Sequence, residues 1–208
     1  MPLDPSQARA AHGQQNGAVI KAVIFFRRRP GMALADFHEH WRVRHAAIIV
    51  RLPGIRRYVQ NYPLGEAPFD AIAESSFDDT QAMKTLARTP QYAEVLEDEP
   101  RFIDRPSMGS IITEEHVLKD GPASTHKVLS FIKRTGDAPI DDFFRGLLED
   151  GQRAARANGI VRYAQCHTRR SAYDSGRTPA YDAVAMTWFA SQPAEVAGAI
   201  AVNERVVL

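Results

Sequence analysis

Apolar positions change their spacing along this chain in an order that then repeats. Lys21 to Arg27 is a nearly continuous apolar, β-rich run, the pattern of a buried strand. Arg29-Pro30-Gly31 breaks it. From Leu34 to Arg51 the period becomes helical, with Phe37, Trp41, His45 and Ile48 on one face. Leu52-Pro53-Gly54 stops that helix, and Ile55 to Tyr62 reads as a second strand. A turn-rich stretch leads to a third strand, Phe69 to Phe77. Asp78-Asp79-Thr80 is a helix start signal. It introduces helical pieces over Gln81 to Leu86 and Tyr92 to Glu99, the second opened by Pro90. Met108 to Leu118 reads as a closing strand. The order is β-α-β-β-α-β, the split βαβ or ferredoxin-like plan.

A second round follows. Gly54-Ile55-Arg56-Arg57-Tyr58-Val59-Gln60 returns as Gly159-Ile160-Val161-Arg162-Tyr163-Ala164-Gln165, and Phe69-Asp70-Ala71-Ile72-Ala73 returns as Tyr181-Asp182-Ala183-Val184-Ala185. Matches in the same order indicate duplication of a whole folding unit. The second copy reads as a strand from Lys127 to Arg134, a helix from Ile140 to Ala157, strands from Ile160 to Arg169 and Tyr181 to Ala190, and a helix from Ala194 to Glu204. Arg205 to Leu208 is short for a fourth strand, so this copy reads as truncated or completed by another chain. The chain divides into a tail (1–18), a first ferredoxin-like domain (19–118), a linker (119–125) and a second, divergent domain (126–208).

The fold class is α+β. Each sheet has one face under its helices and one bare face, and two copies solve the exposure by turning bare faces together into a barrel within one chain. Ala71, Ala73 and Phe77 are assigned to the helix-covered face. Asp70 and Glu74 from one copy, and Met186 and Trp188 from the other, are then expected to line an interior cavity, an apolar space with a few polar groups suited to a small molecule.

Composition narrows the field. A formal net charge of +1 gives no bulk attraction to nucleic acid or anionic lipid. Cys166 is the only cysteine, so neither a disulfide framework nor a cysteine zinc site is available. No apolar run reaches the ~20 residues of a membrane helix, and the first residues lack a signal-peptide core. A cytoplasmic location is expected, without membrane or nucleic-acid partners. No phosphate loop, nucleophile elbow or dinucleotide fingerprint appears.

His45 is the leading candidate for chemistry, because imidazole accepts and returns protons near neutral pH. The alternative is a core histidine bonded to backbone. The second copy has Leu147 and Gly151 where the first has Trp41 and His45. Trp41 reads as core or as a ligand platform. Tyr58 and Gln60 share one strand face and are placed to hold an oxygen; Asn61 is on the other face, so both sets cannot be lumenal. Glu74 is a reserve acid or base. Asp70 is a substrate-side candidate or a salt-bridge partner, and its match with Asp182 favours a structural role. No metal is expected; a site from His45, His116 and a carboxylate is the weaker option.

The string Phe37-x3-Trp41-x3-His45-Ala46-x-Ile48, Leu52-Pro53-Gly54-x2-Arg57-Tyr58-x-Gln60-Asn61, Phe69-Asp70-Ala71-Ile72-Ala73-Glu74, then Met83, Pro90-x-Tyr92, Asp98-Glu99-x2-Phe102 and Glu114-Glu115-His116 resembles the EthD-like family of the dimeric α+β barrel superfamily. The resemblance covers about residues 20–118. It implies a cofactor-independent lyase or isomerase of dehydratase, decarboxylase or lactone-isomerase type. Such an enzyme would act on an aromatic, polyketide-like or lactone molecule by general acid/base catalysis. It also implies a base at this part of the helix, as in related isomerases. The alternatives are a cofactor-free oxygenase of a phenol and a non-catalytic ligand binder. A homodimer is possible, because the short second copy would leave strand edges to cover.

Overall fold

The computed structural model describes residues 19–122, 124–174, 176, 178–193 and 196–208; the tail read over residues 1–18 lies outside them. The first repeat contains β1 (Ile20–Phe26), α1 (Leu34–Glu39), a π-helical turn (His40–His45), α2 (Ala46–Ile49), β2 (Ile55–Pro63), β3 (Ala71–Phe77), α3 (Thr80–Leu86), α4 (Pro90–Asp98) and β4 (Gly109–Lys119). The second contains β5 (His126–Ile132), α5 (Ile140–Ala154), β6 (Ile160–Thr168), the short α6 (Ser171–Asp174), β7 (Ala183–Phe189) and β8 (Ala199–Val206). Each repeat orders its strands alike, β4-β1-β3-β2 and β8-β5-β7-β6. Pairing of β2 with β8 and of β4 with β6 closes them into one antiparallel barrel. The barrel is thus complete within one chain.

The segment expected to be a helix from Ala194 to Glu204 is a strand over Ala199–Val206; residues 194 and 195 lie outside the described set. Alanine content suggests helix, but Ile200, Val202 and Glu204 alternate with Ala201, Asn203 and Arg205, and the segment is hydrogen-bonded to β2 on one side and β5 on the other. Such pairing overrides local propensity. This copy is therefore neither truncated nor completed from outside, and the strand edge that would call for a partner is absent. Among the described residues it has no counterpart of α3 and α4.

The alternation read in β3 holds: Ala71, Ala73 and Phe77 pack beneath the helices with Phe37, Trp41 and Phe102. The opposite faces meet in the barrel, and there the expectation of an interior cavity gives way. The lumen is filled. One end holds Phe25, Phe69, Phe131 and Tyr181, with ring centroids 4.6–5.5 Å apart along successive pairs. Ile72, Leu129, Val184 and Met186 continue the packing, each fully buried. The other end holds an ion network. Glu74 accepts from Lys21 at 2.8 Å and Lys127 at 2.6 Å, and from Asn61 at 3.0 Å. Lys21 also reaches Glu115, and Lys127 reaches Glu204.

The duplication is visible in these ions. Lys21 and Lys127 occupy matching positions, and so do Glu115 and Glu204, each two residues past the partner of its lysine's strand position. Glu74 has no such match: Met186 stands in its place. One carboxylate therefore serves both lysines. Burial pushes the Glu74 carboxyl up, but Lys127 and Lys21 outweigh it and hold it well below the usual range. Burial likewise opposes charge on Lys21, yet Glu74 and Glu115 hold it above the ordinary lysine value.

Removing Glu74 would strand two buried ammonium groups, so Glu74→Ala is expected to cost ~3–5 kcal/mol, read by urea unfolding. The sign of the pH dependence follows from both shifts. A depressed carboxyl stabilises above its unfolded value and loses that contribution as pH falls; a raised lysine stabilises below its unfolded value and loses it as pH rises. Stability should form a plateau between about pH 5 and pH 10 and fall on either side.

Candidate functional site

The open space lies on the other side of the first sheet. A cavity of about 230 Å³ sits between that sheet and its helices. Ile24, Ala73 and Ile112 form its floor, and Ile49, Leu86 and Val95 its cover. Its polar contributors are His45, Tyr58, Ser75, Tyr92, Glu99 and Ser110. Exposed Ala87 with half-buried Met83 and Tyr92 marks its mouth, between α3 and α4.

His45 is 5 % exposed and reaches this cavity. Its Nδ1 is 3.0 Å from Asp98 Oδ2. A carboxylate accepts only, so Nδ1 carries the hydrogen and the neutral ring leaves Nε2 as an open base. Nε2 has no hydrogen-bond partner among the described residues. The same carboxylate takes a second imidazole: His40 Nε2 is 2.9 Å from Asp98 Oδ1. Burial pushes the Asp98 carboxyl up, but the bonds from His45 and His40 win and hold it below the usual range. Phe102 lies against both rings, with centroids 4.7 Å from His40 and 4.9 Å from His45.

His40 reads from the sequence as exposed, because five residues in an α-helix turn through about 500°, far from the His45 face. It is instead half-buried and tied to the site. In the π-helical turn His40–His45 hydrogen bonds link residues five apart, so the two rings come to one side. Strand β2 holds that turn. Gln60 Nε2 donates to the Trp41 carbonyl at 2.7 Å, and Trp41 Nε1 donates to the Tyr58 hydroxyl at 3.0 Å. The Tyr58 proton is thus free to be donated elsewhere. Burial pushes its phenol well above the ordinary tyrosine value, which keeps it a donor.

The other candidates sit elsewhere. Gln60 is fully buried and serves as the clamp, with Tyr62 and Arg205 on its oxygen. Trp41 is fully buried core. Glu74, Met186 and Trp188 belong to the lumen, where Lys127 lies 4.7 Å over the Trp188 ring. Asp70 is at a strand end, accepting from the Arg28 backbone at 2.9 Å and its guanidinium at 2.5 Å. Asp182 does the same for the Arg134 backbone at 2.7 Å. Asn61 takes the lumenal face of β2, which resolves the choice between it and the Tyr58–Gln60 pair. His116 packs against His167 beside the second repeat, away from His45.

Asp98, Glu99 and His40 are the site residues that spacing did not bring forward. Asp98 and Glu99 stand in the resembling string, but only the fold shows that α4 carries them over the π-turn. Glu99 lines the cavity and pairs with Arg105.

The second repeat keeps the clamp without the imidazole. Gln165 Nε2 donates to the Leu147 carbonyl at 2.9 Å, as Gln60 does to Trp41. A side chain at Gly151, the position of His45, would collide with Gln165 and Leu118.

These observations define a single-chain α+β barrel with an imidazole-bearing pocket beneath the helices of its first repeat. Residues 29–106, within the first repeat, match the family model of the EthD domain. No curated protein matches the chain. Among solved structures, an anthrone oxidase-like protein aligns over 93% of this chain and 94% of its own, with TM-score 0.64 and 8% identity. A Fusobacterium nucleatum protein provisionally named a monooxygenase aligns over 83% and 75%, with TM-score 0.56 and 9% identity. A Bacillus halodurans EthD family protein is 25% identical over 47% of this chain and 99% of its own, with TM-score 0.40. At such identities the first two likenesses speak for the fold. Among the described residues no helix is long and apolar enough to cross a membrane.

The tautomer assignment is measurable. In ¹⁵N-detected spectra at neutral pH, His45 should be protonated at Nδ1. Asp98→Ala should give a mixture of tautomers, and an Nε2-protonated ring in the parent protein would contradict the assignment.

Proposed function

We propose that the chain is an acid/base enzyme of lyase or isomerase type acting on a small aromatic, polyketide-like or lactone molecule. The observation that carries this reading is an unpartnered imidazole nitrogen, backed by a buried carboxylate, facing an apolar cavity. The cavity walls are mostly apolar, and Nε2 removes a proton next to the carbonyl of a ligand held there. Asp98 then stabilises the imidazolium that forms. The oxygen that gains charge in the enolate is met by the Tyr58 hydroxyl, whose own lone pair is already taken by Trp41. Returning the proton to a different carbon isomerises the substrate; losing a β-substituent makes the reaction an elimination. Glu74 and Asp70, held by their own partners away from the cavity, have no part in these steps.

A second reading, a cofactor-free oxygenase, draws on the names of two structural neighbours. It needs the same base, because dioxygen reacts with the electron-rich anion of a phenol. Oxygen uptake during turnover separates the two.

The test uses 2-tetralone in D2O, a neutral two-ring ketone, with deuterium incorporation next to the carbonyl followed by NMR. The parent protein should accelerate exchange. His45→Ala should lower the acceleration by ~100-fold or more with the fold retained, and Asp98→Asn should lower it while leaving ligand affinity nearly unchanged. Full exchange in His45→Ala would remove the base assignment.

A further inference from the structure

The charge and size of the cavity narrow the substrate further, given the reading of this space as the substrate site. Its polar groups are one imidazole, two phenols, two hydroxyls and the Glu99 carboxylate. Among the described residues no lysine or arginine lines it. Arg105 is paired with Glu99 and is not among the lining residues. Behind His45 stands a second carboxylate, Asp98, kept ionised by its imidazole partners. A ligand carboxylate or phosphate would therefore enter an apolar space with no lysine or arginine at its wall, one acidic residue, Glu99, lining it and a second, Asp98, behind His45. Burying an unpaired anion is among the costliest events in protein chemistry.

Size acts alongside charge. An apolar cavity of ~150 Å³ accommodates one benzene ring. At about 230 Å³, this one takes a substituted single ring or two fused rings. Three or four fused rings exceed it. The floor cannot yield, because β3 is backed by the filled lumen, with Ile72 and Glu74 buried on its other face.

We infer that the substrates are uncharged molecules of one or two rings carrying a carbonyl or phenol oxygen, and that acid-bearing and larger polycyclic relatives are excluded. The polar groups fit such a ligand. Tyr58 donates to its oxygen and His45 Nε2 accepts from its acidic C–H or O–H, while Ser75 on β3 and Ser110 on β4, the strands on either side of β1, are neutral partners for a further hydroxyl.

The experiment is calorimetric titration of the full chain at neutral pH with three probes. These are 1-naphthol, 1-hydroxy-2-naphthoate, which adds only a carboxylate, and anthrone, which adds a ring. Naphthol should bind, the naphthoate at least tenfold more weakly, and anthrone not measurably. Glu99→Gln, which removes the acidic wall and frees Arg105, should shrink the gap between the first two. Naphthoate binding as tightly as naphthol would overturn the charge argument, and anthrone binding would overturn the size argument. If no probe binds, the cavity is not a substrate site and both readings fall. If binding follows the expected order while tetralone exchange is absent, the ligand class stands and the base chemistry does not.

Discussion

The sharing of one carboxylate by two buried lysines governs the rest of this structure. Glu74 sits where the two repeats meet and answers charges from both of them. Without it the lumen would hold two unmatched ammonium groups; with it the barrel interior is satisfied and closed to ligands. A filled barrel transfers function to the outer face of a sheet. Among the described residues, the first repeat has there a cover of three helical segments with the His45 cavity beneath.

The asymmetry of the halves follows from small differences built on a common plan. Both keep the strand glutamine that reaches across to a helix carbonyl, Gln60 and Gln165. Both keep an aspartate on the backbone of a strand end, Asp70 and Asp182. These are parts of the scaffold, and duplication preserved them. The first repeat has Trp41 and His45 where the second has Leu147 and Gly151, and it has α3 and α4 where, among the described residues, the second has no helix between β7 and β8. Chemistry is confined to one repeat, and the other serves as the wall that makes the barrel complete.

Much of this was legible in the chain. The duplication, the strand and helix order of the first repeat, and the pairing of two sheets into a barrel all follow from periodicity, because each depends on local patterns of burial. The alternation Ala71, Ala73, Phe77 correctly named the face beneath the helices. What periodicity could not say is which face encloses space, since an apolar face looks the same whether it packs solidly or lines a hollow. Glu74 on the lumenal face of β3 looked like an acid in a pocket; the lysines that neutralise it come from strands distant in sequence. His40 and Asp98 were obscured for a different reason. Their meeting depends on a change of helical pitch, which α-helical phase does not anticipate. The strand at Ala199–Val206 was hidden by alanine-rich composition, and only its neighbours on both sides make it β.

That change of pitch leaves a trace in the numbering. From Trp41 to Gly54 the first repeat is one residue longer than the second is from Leu147 to Gly159, and its helix carries a widened turn at His40–His45. The corresponding stretch of α5 is an unbroken α-helix. A helix that merely covers a sheet and one that aims two imidazoles at a single acid thus differ in pitch while resting on the same strand glutamine, so reactivity here is a property of the winding and not of the scaffold beneath it.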